Sequence, residues 1–142
     1  KVVSTGADKA ITDNDASLVV QVNHAHFKAL FTGDMTKLAE YELVSNNKNI
    51  AADYLKVAHH GSKTSSIMPL VRAVNPEYVI FSTGYLNRFN HPHPDVVSRY
   101  QQINAQLLST PDTGSISFLL TAKNGVEGPT LYCELHRRFW YK

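Results

Sequence analysis

The sequence predicts an α/β fold built on a mixed sheet. Three observations carry this. Apolar, strand-like runs alternate with helical patterns through the middle of the chain, from Phe27 to Leu108. Two hairpin-like pairs flank that alternation, which adds antiparallel strands to a parallel centre. Three of the runs end in residues fit for chemistry: Gly33-Asp34, His59-His60 and the loop His91-Pro92-His93-Pro94. Parallel strands joined by helices place their C-terminal ends, and therefore such residues, on one edge of a sheet.

Taken in order, Lys1 to Asn14 is polar and reads as a loop or edge segment. Ser17 to Val22 is β-branched and apolar, a strand. Asn23 to His26 reads as a hairpin turn, and Phe27 to Thr32 as the returning strand. Met35 to Ser45 has apolar residues near helical spacing, with Thr36 placed to cap it and Glu40 close to a capping-box position. Tyr54 to Ala58 is a short buried strand that stops at two imidazoles. Ser65 or Ser66 is placed to cap the next helix, which Asn75-Pro76 ends. Tyr78 to Thr83 is a fully buried type of strand, and Pro94 suits the first turn of the helix after it. Leu107-Leu108, Ser115 to Leu120 after a turn at Thr113-Gly114, and Thr130 to Tyr141 complete the strands, the last with a basic, aromatic end.

With 142 residues the chain is one domain with a real core. Its 43% hydrophobic and 18% charged residues exclude a disordered chain. A net charge of +2 does not by itself indicate nucleic acid. The one cysteine, Cys133, excludes an internal disulfide. No apolar run approaches the roughly 20 residues of a membrane span, so no membrane contact is expected from this segment. The chain opens on Lys1, which suggests a piece of something longer.

Asp34, His59 or His60, and His91 or His93 are of the ligand types that suit zinc, manganese or iron. Each has an ordinary reading as well. Gly-Asp after a strand is commonly a turn. Two imidazoles after a buried strand need partners or water, and His-Pro-His-Pro makes a rigid turn whose prolines also aim the side chains. His24 and His26 share a strand face but sit at the hairpin turn, at the edge away from Asp34. Ser62, Lys63, Thr64 and Ser65 look like the opening of a helix, where hydroxyls, an ammonium and backbone N–H groups would hold a phosphate or simply cap the helix.

Four blocks are more specific together than any one motif. They are Asn14 to Val20, Leu30-Phe31-Thr32-Gly33-Asp34, Leu55 to Ser66 around His59-His60-Gly61-Ser62, and Asn87-Arg88-Phe89-Asn90-His91-Pro92-His93-Pro94. In order and spacing this resembles the metallo-β-lactamase domain of the ComEC-type DNA-uptake competence proteins, over roughly Asp13 to Leu120. The resemblance implies the C-terminal half of an αββα sandwich, with a mixed sheet and helices packed on one face. The superfamily's His-x-His-x-Asp-His motif is absent, so residues 1–142 read as a partial domain. Asn90 stands where a glycine is usual, and asparagine tolerates the left-handed backbone that such a turn needs.

What the resemblance implies for the site is a divalent metal, zinc or manganese, in the complete domain, with none assured in this part alone. Asp34, His59 and His91 would be ligands and Asp34 and His60 catalytic, His60 as ligand or as proton donor to a leaving oxygen. Ser62, Lys63, Asn87 and His93 would meet substrate. The activity implied is that of a phosphodiesterase or nuclease acting on DNA, in a soluble domain of a membrane-anchored bacterial protein. Another metallo-β-lactamase-type hydrolase, acting on lactones, thioesters or lactams, would use the same metal. A half sandwich also leaves a sheet face to cover, so the alternative is a non-catalytic module that dimerises or binds its missing N-terminal half.

Overall fold

The computed structural model describes residues 2–4, 13–46, 49–121 and 125–136. Six strands form one sheet: β1 (Val2–Ser4), β2 (Leu18–His24), β3 (Phe27–Phe31), β4 (Tyr54–Lys56), β5 (Tyr78–Phe81) and β6 (Gln106–Ser109). They lie in sequence order across it. The first three are antiparallel to one another, and β3 through β6 are parallel. The sheet is therefore mixed and the chain α/β, as the alternating pattern predicts.

Helices α1 (Lys37–Asn46), α2 (Met68–Val74) and α3 (Pro94–Gln101) are the crossovers of the parallel part. Partners in parallel register point to the same face, so Leu30, Leu55 and Val79 share one face. All three are buried, in one cluster with Leu43 of α1, Leu70, Val71 and Val74 of α2, and Val96 and Tyr100 of α3. Burial of this apolar surface is the main force holding the helices on that face.

The opposite face carries Leu18, Val20, Val22, Phe31, Tyr54, Lys56, Tyr78 and Ile80. A second, two-stranded sheet packs over part of it. β7 (Ile116–Thr121) and β8 (Gly125–Leu131) pair antiparallel, and Phe118 sets its ring edge-on against Tyr54 and Tyr78 at 4.5 and 5.3 Å. Leu18 and Phe31 on the same face remain 61% and 48% exposed.

Three details depart from the sequence expectations. Among the described residues the last strand is β8, which ends at Leu131; Tyr132–Leu135 is a helical turn, α5, so Cys133 is not on a strand. The basic, aromatic end from Arg137 onward lies outside the described residues. A short helix, α4 (Thr110–Thr113), replaces the turn expected before β7, and Gly114 ends it. Helix α2 starts at Met68, not at the serines. Ser65 Oγ is already committed to the carbonyls of Ala58 and Ser62, both at 3.0 Å, and Ile67 occupies the capping position without a side-chain bond.

Candidate functional site

The parallel strands β3, β4 and β5 bring their C-terminal ends to one edge, and the three singled-out segments meet there. β3 leads through Thr32 into the turn at Gly33-Asp34, where Gly33 adopts φ +59°. The polar block before β2 braces this turn. Ser17 Oγ accepts the Asp34 N–H at 3.0 Å, and buried Asp15 accepts from both the backbone N–H and the hydroxyl of Thr36. Thr36 Oγ1 is thereby spent on Asp15 rather than on capping α1.

β4 leads through Val57 and Ala58 into His59 and His60, and both have left-handed backbones, with φ +47° and +56°. Two consecutive non-glycine residues in that region are strained, at roughly 1–2 kcal/mol each. Such strain persists where surroundings over-determine it, commonly at functional sites. Here the Gly33 carbonyl accepts the His59 N–H at 3.1 Å, and the His59 carbonyl accepts the Ser62 N–H at 2.9 Å. Gly61 follows at φ +81°, where a Cβ would stand 2.8 Å from Pro92 Cβ and 3.0 Å from the Phe81 ring. Its carbonyl accepts the His93 N–H at 2.8 Å, which docks the His-Pro-His loop onto the His-His turn. Gly61→Ala is therefore expected to lower unfolding free energy by about 2–3 kcal/mol. Urea denaturation measures this, and a loss under half a kcal/mol would refute the close approach.

The side chains converge in part. His60 Nδ1 meets the Ser82 carbonyl oxygen. A carbonyl only accepts, so Nδ1 carries the hydrogen and a neutral His60 presents its Nε2 lone pair outward. That Nε2 lies 3.6 Å from Asp34 Oδ1. Lys56 Nζ lies 3.8 Å from the same oxygen. The His59 and His91 rings are 6.2 Å apart, edge to face. Both leave a buried Nδ1 with no hydrogen-bond partner among the described residues. Burial, and after it the neighbouring imidazoles of His59, His60 and His93, hold His91 below the usual histidine pKa. Orphaned buried nitrogens are rare in folded proteins and ask for a partner.

The remaining segments are held differently. His93 caps α3, its Nδ1 accepting the Asp95 N–H at 3.2 Å. Asn87 clamps its own loop, donating to the His91 carbonyl at 2.8 Å and accepting the His91 N–H at 2.9 Å. Asn90 has φ +53°, the left-handed turn that an asparagine tolerates. Ser62 is buried, and its hydroxyl bonds that of Thr64 at 3.0 Å within a turn rather than at a helix start. Exposed Lys63 reaches within 3.7 Å of Asp95. His24 and His26 lie at the opposite edge, with Lys28 and Asp53, beside a cavity of 440 Å³.

The sequence places Glu40 near a capping-box position, but its role in the fold, shared with Arg99 and Tyr100, is a different one. Fully buried Glu40 accepts the N–H groups of Ser66 and Ile67 at 2.6 and 2.7 Å. Arg99 donates to the Ser65 and Ser66 carbonyls at 3.0 and 2.8 Å, and Tyr100 donates to Ser66 Oγ at 3.1 Å. This cage fixes residues 65–67, which follow the His-His turn.

For the divalent metal that the resemblance implies, the donors fit in kind. A lone pair facing a carboxylate, and two unpartnered imidazole nitrogens, are ligands that zinc or manganese takes. Among the described residues no three such side chains already form a cluster that could hold a metal ion. No helix among the described residues is long and apolar enough to cross a membrane.

No protein-family model matches the chain. It is 35% identical over 117 residues to ComE operon protein 3 of Bacillus subtilis, covering 82% of this chain and 15% of that protein. It is 35% identical over 135 residues to competence protein ComA of Neisseria gonorrhoeae, covering 94% and 19%. It is 33% identical over 104 residues to recombination protein 2 of Haemophilus influenzae, covering 73% and 13%. The chain spans less than a fifth of the length of these curated relatives. Over most of its own length, then, it is similar to one segment of bacterial proteins named for competence and recombination.

Proposed function

We propose that this chain is the C-terminal part of a metallo-β-lactamase-type phosphodiesterase, acting on DNA in a protein of DNA uptake. The observation that carries it is the Asp34–His60 pair. A carboxylate oxygen and an imidazole nitrogen stand 3.6 Å apart at the end of the parallel strands, with the imidazole oriented by the Ser82 carbonyl. Orientation of a histidine through its other ring nitrogen is what ligating histidines commonly require. The competence names of the relatives support DNA as substrate.

In this reading Asp34, His60, His59 and His91 would hold divalent metal, together with ligands from outside the chain. When bound, such an ion supplies hydroxide at neutral pH and counter-charge for phosphoryl oxygens. The chain's own residues do the rest. Lys56 tempers the negative charge of Asp34 at 3.8 Å. Lys63, exposed beside α3, offers an ammonium to a backbone phosphate. Ser62 and Asn87 fix the loops from which these groups project.

The test is a substrate panel given to the complete gene product with manganese or zinc. Cleavage of DNA or small phosphodiesters, with lactones and thioesters untouched, is the expected result. Cleavage of the esters alone would replace the phosphodiesterase reading with the lactonase or thioesterase one.

One observation favours a second reading, a non-catalytic module. Leu18, Val22 and Phe31 are 61%, 41% and 48% exposed on one sheet face. An apolar patch of this kind calls for a cover. If the cover is a second copy, light scattering of the 142-residue chain shows a dimer that Phe31→Glu dissociates. A monomer at high concentration would remove this reading.

A further inference from the structure

The loop between β5 and α3 has features that the hydrolytic site does not need. It exposes Tyr85 (79%), Leu86 (84%) and Phe89 (63%) within five residues. Exposed apolar groups on a floppy loop would mean little, but this loop is held. Asn87 Nδ2 donates to the carbonyls of Gly84 and His91, at 3.4 and 2.8 Å. The Asn87 carbonyl accepts the Asn90 N–H at 3.3 Å. Leu86 and Asn90 both take left-handed backbones, with φ +50° and +53°. The loop thus spends conformational strain to hold large rings in water, a pattern found where a surface binds something.

Its chemistry narrows the occupant. The Arg88 guanidinium lies 4.8 Å from the centre of the Phe89 ring. Phe89 in turn lies 5.9 Å from the His91 ring, with the planes 21° apart. Ring faces therefore run from the exposed loop toward the imidazoles at the sheet edge. Aromatic faces interleaved with a guanidinium are the means by which proteins hold single-stranded nucleic acid without reading its sequence, the bases stacking and the cation meeting phosphate. A membrane surface or a protein segment would use the apolar rings, but neither calls for a guanidinium over a ring face that leads into a histidine cluster.

We infer that Tyr85 and Phe89, with Arg88, form a base-stacking platform that seats single-stranded DNA beside the His91 end of the site. This rests on the phosphodiesterase reading for its substrate class. It adds that strand selection comes from nucleobase stacking in this loop, and the leading scissile phosphate is then carried toward Asp34 and His60.

The test is anisotropy binding of two labelled oligomers of equal length, oligothymidylate and its abasic counterpart, to the complete gene product in chelator. Tyr85→Ala with Phe89→Ala is expected to weaken oligothymidylate binding by about ten-fold or more, and to leave abasic binding unchanged. Arg88→Gln is expected to weaken both and to flatten the salt dependence. Equal loss on both oligomers, or no loss, overturns the platform. So does equal binding of the two oligomers by the unsubstituted protein. If the ring variants instead lose binding to anionic vesicles while oligomer binding is unchanged, the loop is a membrane contact and the inference is wrong. Because binding is read in chelator, absence of hydrolysis with metal sinks the phosphodiesterase reading separately.

Discussion

Asp34→Ala in the complete gene product is expected to lower phosphodiester hydrolysis by more than about a hundred-fold while leaving the fold intact. Loss of a partner that merely supports a ligand already costs 10–100-fold, and Asp34 is the carboxylate at the centre of the proposed set. Its Oδ1 is the atom that both His60 and Lys56 approach, at 3.6 and 3.8 Å. The side chain is 43% exposed, so its removal opens no cavity. The turn it sits on is held by the backbone, through Asp34 N–H to Ser17 Oγ and His59 N–H to the Gly33 carbonyl. Tm should therefore shift little. A variant that retains activity within a few-fold would show that the carboxylate is a turn residue. A large fall in Tm would assign the loss to folding.

Glu40→Ala is expected to cost about 3–5 kcal/mol of stability. Two buried N–H groups, of Ser66 and Ile67, would lose their acceptor at about 1–3 kcal/mol each, and a cavity would open beside α2. Urea unfolding measures this, and a cost below about 1 kcal/mol would contradict the cage. Glu40 also links stability to pH. Burial pushes its pKa up from 4.5 to about 7, against the two N–H bonds and the positive charges of Arg99 and Lys37. A raised carboxyl pKa means that the folded state binds the extra proton. The stabilising share is then full below about 4.5 and is lost as pH rises through about 7. Between those limits it amounts to roughly 3 kcal/mol. Glu40→Gln should remove this dependence, so the pH 5 to pH 8 loss in unfolding free energy should be smaller in the variant than in the unsubstituted protein. Equal losses would show that Glu40 does not titrate in this range.

The central strands were legible because burial writes itself as continuous apolar runs, as in Tyr78 to Phe81. The shared edge followed from topology: β3, β4 and β5 are parallel neighbours, so Asp34, His59 and His60, and the loop to His91 had to emerge together. The actual pairing did not follow. That His60 rather than His59 faces Asp34 depends on two successive left-handed residues, which no propensity favours. The capping-box place of Glu40 looked local, yet its carboxylate serves N–H groups 26 and 27 residues away. Ser65 and Ser66 looked like helix caps for the same reason, and their hydroxyls are instead spent within the Glu40–Arg99–Tyr100 cage and on the Ala58 carbonyl. The end of the last strand was misplaced because Thr130 to Tyr141 alternates acceptably, while β8 begins at Gly125 and passes through Gly128-Pro129. Side chains that bond across the fold carry no signature in their neighbours.

The most direct measurement is hydrolysis of a labelled oligonucleotide by the complete gene product, stripped with chelator and then titrated with manganese or zinc. A divalent-metal phosphodiesterase built on this edge gives no cleavage after stripping and recovery on metal addition. With His60→Ala the recovery should fail or require far more metal. Full cleavage in chelator, or metal-dependent recovery that is the same with and without His60, would contradict it.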